Sequence, residues 1–103
     1  MKRVKRRYLA VQLECDGLPS EREFMDAIWA STTKLYGEVG ASLTGLALIN
    51  LDAQRKVYVV RCNLASLSVV RASVACVTSV AGVQASVHVL AVSGTLKALY
   101  SNI

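Results

Sequence analysis

The spacing of apolar residues along this chain switches twice from a period of two to a helical period and back again. That alternation leaves few folds open to it. Residues 7–15 place Leu9, Val11, Leu13 and Cys15 on one face and Tyr8, Ala10, Gln12 and Glu14 on the other, as in a half-buried strand. Asp16-Gly17-Leu18-Pro19 ends the run, and Pro19 is the only proline. Ser20 followed three residues later by Glu23 has the form of a capping box, in which each side chain satisfies the other residue's backbone donor. The helix so opened is expected to reach Tyr36, with Phe24, Ala27, Ile28, Ser31 and Leu35 as its core stripe and Gly37 as its C-terminal cap.

A second region of period two follows. Residues 43–51 predict a strand, Asp52-Ala53-Gln54 a turn, and residues 55–62 the returning strand of an antiparallel hairpin, in which Val57 and Val59 face away from Tyr58 and Val60. Asn63 stands where it can cap a second helix over residues 64–78, with Leu67, Val70, Val74 and Val77 inward. Its Ser and Val content lowers intrinsic helix propensity, so packing must hold it. Beyond Gly82, Val83, Ala85, Val87, Val89 and Ala91 alternate with Gln84, Ser86, His88, Leu90 and Val92 in a last long strand. A short helical tail comes after Ser93-Gly94-Thr95. Strand, helix, strand, strand, helix, strand is the split βαβ order of ferredoxin-like and RNA-recognition-like domains. The class is therefore α+β: a four-stranded antiparallel sheet with both main helices on one face and the other face open.

At 103 residues the chain is sized for one domain, here a basic arm over residues 1–7 and a folded unit over 8–103. Lys2, Arg3, Lys5, Arg6 and Arg7 crowd into that arm, and 12 Lys and Arg against 7 acids leave a formal charge of +5. A polyanion, usually a nucleic acid, is the partner such a balance favours. The 53% hydrophobic content exceeds the roughly 45–50% usual for soluble domains, which anticipates a stable partner surface or self-association. No apolar run approaches the ~18 residues of a membrane span, and no signal-peptide pattern follows the basic start. Cys15, Cys62 and Cys76, odd in number and far apart, read as buried thiols in a reducing, cytoplasmic compartment.

Catalytic patterns are poor. The acids fall in turns, caps and a helix surface, with no close pair suited to Mg²⁺ or to general acid–base work. His88, the sole imidazole, sits in an alternating strand, exposed or partner-facing. Tyr58, with the first strand's Tyr8, is expected on the open sheet face against a base or a partner protein. Ser93-Gly94-Thr95 with Lys97 reads as an anion-accepting or partner-positioning helix terminus, or as an ordinary N-cap.

Four blocks carry a resemblance. Lys5-Arg6-Arg7-Tyr8-Leu9-Ala10, Leu35-Tyr36-Gly37-Glu38-Val39-Gly40, Val60-Arg61-Cys62 and Leu90-Ala91-Val92-Ser93-Gly94-Thr95-Leu96-Lys97, at their spacing here, resemble the archaeal ribonuclease P protein component 2 family over nearly the whole chain. The resemblance implies an RNA-recognition-like fold and a noncatalytic subunit of the ribonucleoprotein that removes the 5′ leader of precursor tRNA. It also implies that the RNA, not the protein, supplies the catalytic centre and requires the Mg²⁺, so that no cofactor belongs to this chain. The implied partners are ribonuclease P RNA, precursor tRNA and the barrel-shaped protein component 3, in a heterotetramer with two copies of each protein. Lys2, Arg3, Lys5, Arg6, Arg7, Arg61 and Lys97 are the expected RNA contacts. Relatives often extend the last helix with further basic residues, a contact expected here to be absent or supplied by another subunit. A ferredoxin-like module that binds a small ligand or regulates without RNA is the alternative.

Overall fold

β1 (Arg6–Cys15) is the axis of the sheet, pairing antiparallel with β3 (Val57–Asn63) on one side and β5 (Val83–Ser93) on the other. β2 (Ala47–Asp52) adds outside β3, and the two-residue β4 (Ser79–Val80) outside β5, giving the order β2-β3-β1-β5-β4. This computed structural model describes residues 5–103, so Lys2 and Arg3 of the basic arm lie outside the described residues. The four long strands have the expected ferredoxin-like order. Because β1 begins at Arg6, the last two arginines of the arm belong to the ladder.

Helices α1 (Glu21–Ser42) and α2 (Leu67–Ala75) cover one face of the sheet. The capping box is present: Glu23 N–H donates to Ser20 Oγ at 3.1 Å and Ser20 N–H to Glu23 Oε1 at 3.0 Å. Gly37 breaks α1 at φ 78°, but a further helical turn follows and carries the element to Ser42. Leu35, expected in the core stripe, is exposed, and Thr32 is buried in its stead, its hydroxyl donating to Ile28 O at 2.8 Å. Ser31 Oγ donates to Ser73 O at 2.6 Å and joins the two helices where both surfaces are small. α2 is preceded by a short 3-10 turn (Leu64–Ser66) and ends three residues before the expected boundary, at Ala75. Asn63 does not cap it; its Nδ2 donates instead to Leu43 O at 3.1 Å.

The principal core lies between this helical layer and Leu9, Val11, Leu13, Tyr58, Val60 and Cys62. Trp29 packs half-buried against it. Of the three thiols only Cys62 is fully buried, whereas Cys76 is exposed just beyond α2.

The other sheet face is not open. α3 (Leu96–Ser101) lies across it and drives Leu99 into a second core with Ala10, Val57 and Val59, flanked by Tyr8, Ile49, Ala91, Leu96 and Ile103. Ala10 and Ala91 are register partners, and their short side chains let a helix approach the sheet closely. β3 is thus buried on both faces, since Val57 and Val59 serve one core and Tyr58 and Val60 the other. The uniform alternation expected for the last strand is also interrupted. Ala91 stands opposite Ala10 but Val89 opposite Val11, so Leu90 bulges and Ala91 turns to the α3 side while Val89 and Val92 face the helices.

Candidate nucleic-acid interface

The strand register gathers residues that are far apart in sequence. Tyr8 lies opposite Arg61 of β3 and Ser93 of β5, Arg6 opposite Asn63, and Arg7 opposite Cys62. The start of β1 and the ends of β3 and β5 therefore bring Arg6, Arg7, Tyr8, Arg61 and Ser93 to one end of the sheet. Lys5 is held there too, because its carbonyl accepts from Leu64 N–H at 2.8 Å.

Arg61 is the singular member of the group. Its Nε is buried and donates to nothing, the one such side-chain nitrogen or oxygen among the described residues. A buried donor without an acceptor costs about 1–3 kcal/mol, and more when it is charged. A guanidinium presents its N–H groups as a planar fork matched to carboxylate or phosphate oxygens.

None of these cations forms an ion pair among the described residues. The two ion pairs among the described residues are Arg22–Asp26 at 3.9 Å on the surface of α1, and His88–Glu14 at 3.7 Å further along the sheet. Glu14, Asp16 and Asp52 stand at the opposite end, beside the end of β1 and the β2–β3 turn. Such an uneven charge distribution draws a polyanion to one end of the sheet.

Arg7 bridges the group to the β5–α3 connection. Its Nη1 donates to Arg6 O at 2.9 Å, and a Cβ placed on Gly94 would lie 3.4 Å from the same nitrogen. Gly94 thus leaves room for the guanidinium. The neighbouring hydroxyls act as caps: Thr95 Oγ1 accepts from Ala98 N–H at 3.2 Å and Ser93 Oγ from Thr95 N–H at 3.5 Å. Thr95 is thus the N-cap of α3, a helix of six residues. Lys97 is exposed in the first turn of that helix.

Two aromatic expectations separate. Tyr8 does lie on the α3 side, half-buried beside the second core. Tyr58 does not: it is fully buried beneath the helices, stacked on Phe24, and donates its hydroxyl to Pro19 O at 2.9 Å. Burial, reinforced by the charges of Cys15, Glu21 and Glu23, raises its phenol above the ordinary 10.0. Tyr58 is thus a core residue and not a partner-facing one. Burial likewise raises the Cys62 thiol above 9.0, the reverse of what a nucleophilic cysteine requires. His88 is exposed on β5, beside Glu14 and apart from Arg6, Arg7 and Arg61.

No group of three or more His, Cys, Asp or Glu among the described residues is arranged to hold a metal ion. Sequence reasoning missed α3's cover of the sheet, although Leu96, Leu99 and Ile103 already have helical spacing.

A ferredoxin-like sheet with one arginine-rich end, whose cations form no ion pair among the described residues, is the frame of an RNA-associated accessory protein. Residues 7–103 match the Rpp14/Pop5 family, and the chain belongs to it. Among its relatives, ribonuclease P protein component 2 of Pyrococcus horikoshii is 32% identical over 97 residues, covering 94% of this chain and 81% of that protein. The component 2 of Methanosarcina mazei is 30% identical over 95 residues, covering 92% and 80%. A chain in the cryo-EM structure of yeast ribonuclease MRP superposes with a TM-score of 0.75 at 14% identity, over 93% of this chain and 79% of its own, and so shares the fold. The present chain is a component 2-like, noncatalytic subunit of the ribonuclease P type.

Proposed function

We propose that this chain acts by docking the basic end of its sheet on phosphates of ribonuclease P RNA, with Arg61 at the centre and Lys5, Arg6, Arg7 and Lys97 around it. Lys2 and Arg3 extend the same charge along the chain. The subunit thereby assists the RNA in removing the 5′ leader of precursor tRNA, in the cytoplasm, while the RNA holds the Mg²⁺ of the reaction. The observation that carries this reading is the convergence of Lys5, Arg6, Arg7 and Arg61 on one end of the sheet, where none of them forms an ion pair among the described residues. The small-ligand alternative is not favoured, because Leu99 and its neighbours fill the sheet face where a ligand would lie.

Pairing with the barrel-shaped component 3, in a heterotetramer, is part of the proposal. Its surface is not the sheet face, now covered, but the last turns of α1, where Leu35, Tyr36, Val39 and Leu43 are exposed together.

Reconstitution tests the whole reading. Arg61→Ala should weaken association with ribonuclease P RNA by about 10- to 100-fold, the worth of a hydrogen bond to a charged group. Arg61→Lys should not restore it, since an ammonium lacks the fork. Cleavage of precursor tRNA at limiting Mg²⁺ should fall in parallel. Unaltered RNA binding by Arg61→Ala in a normally folded chain would refute the assignment.

A further inference from the structure

The outer edge of β5 is bare over most of its length. β4 pairs only with Val83 and Gln84, and one further bond, Ala85 N–H to Thr78 O at 2.9 Å, continues the ladder. Since the amide of Ala85 points to the outer edge, the two-residue period of a strand points the backbone groups of Val87 and Val89 the same way. No strand lies beyond them among the described residues. Exposed edges are commonly protected by charged residues or proline, yet β5 reads Val-Gln-Ala-Ser-Val-His-Val-Leu-Ala-Val-Ser, with no acid, Lys, Arg or Pro.

A groove of about 370 Å³ runs beside this edge, lined by Arg71, Val74 and Ala75 of α2 and by Val87, His88 and Val89 of β5. Apolar Val74, Ala75, Val87 and Val89 share its lining with Arg71, which is exposed and belongs to neither ion pair. An edge with free backbone groups gives affinity to an incoming strand, and a groove against an adjacent helix receives alternate side chains.

We propose that the outer edge of β5, with the groove between it and α2, is a strand-addition site for an extended segment of a partner protein. That segment alternates small apolar residues and carries a carboxylate opposite Arg71. The charge of Arg71 selects its sign, and the small mouth left by Ala75 and the valines selects its size. The site is separate from the RNA-docking end and does not depend on it.

The probe is an acetylated hexapeptide of alternating valine and threonine ending in glutamate, titrated into the full chain and followed through its amide resonances. Saturable shifts should centre on the amides of Val87 and Val89. N-methylation of the peptide amides that face the edge should abolish them, and replacing the glutamate by lysine should weaken binding about tenfold. Arg71→Glu should reverse that preference. Absence of shifts up to the solubility limit, or shifts indifferent to N-methylation, would overturn the site. Concentration-dependent shifts of the same amides without peptide would assign the edge to a second copy of the chain, and displacement of the peptide by an RNA oligonucleotide would assign it to nucleic acid. Either of these results also overturns the proposal.

Discussion

Phe24 and Tyr58 stack face to face, ring centroids 3.8 Å apart and planes within 9°, and this contact fastens α1 to the middle of the sheet. Both rings are fully buried, and the Tyr58 hydroxyl reaches across to the carbonyl of Pro19 in the β1–α1 turn. Phe24→Ala should cost about 3–5 kcal/mol, the range for losing a buried aromatic ring. Tyr58→Phe should cost only about 1 kcal/mol, by removing one hydrogen bond while keeping the stack. Urea denaturation of the two variants checks the difference.

Alkaline pH should weaken the fold. Tyr58 and Cys62 are both held protonated by burial, so each ionises at higher pH in the folded chain than in the unfolded one. Their contribution is complete below 9.0, the ordinary thiol value, and is lost as pH rises through the raised folded-state values. Urea midpoints across the alkaline range should fall for the parent chain and less steeply for Tyr58→Phe. Equal slopes would contradict this linkage.

The β4–β5 turn offers a gain in stability. Ala81 and Gly82 have φ of 53° and 80° between the paired Val80 and Val83, the two-residue hairpin geometry in which both central residues are left-handed. Alanine is a poor occupant of that conformation. Ala81→Asn, which creates the favoured Asn-Gly pair, should stabilise the chain by roughly 0.5–1 kcal/mol, read as a higher melting temperature.

Gly45 should be intolerant of replacement. It has φ of 63°, and a Cβ there would lie 2.6 Å from Asn63 Oδ1. Displacing Asn63 would also break its bond to Leu43 O, which ties the end of α1 to the end of β3. Gly45→Ala should therefore cost more than the ~1–2 kcal/mol of the left-handed backbone alone. A thermal shift confined to the lower figure would show that Asn63 moves aside freely.

Lys5→Ala and Lys97→Ala probe the rim of the basic end without disturbing the core, since both side chains are exposed. For every phosphate that a lysine no longer neutralises, the slope of log affinity against log salt should shrink by about 0.7–0.9. An unchanged slope for both variants would confine RNA binding to the arginines.

The amino-acid sequence by itself determined the order of the four long strands and main helices, the capping box at Ser20 and Glu23, the break at Gly37 and the alternation of β1 and β3, because these rest on residues close together in the chain; it did not show the short fifth strand β4. It also showed where positive charge is dense. It did not determine which face of β3 is inner: with Val57, Tyr58, Val59 and Val60 all apolar, a period of two marks alternation but not direction. Nor did it show the bulge at Leu90, which is a property of the β1–β5 register. Only the tertiary structure decided that α3 closes the second sheet face, that Tyr58 is core, and that Arg61 stands with Arg6 and Arg7 at one end of the sheet in no ion pair among the described residues. Those outcomes depend on which strands become neighbours, and so on packing between residues tens of positions apart.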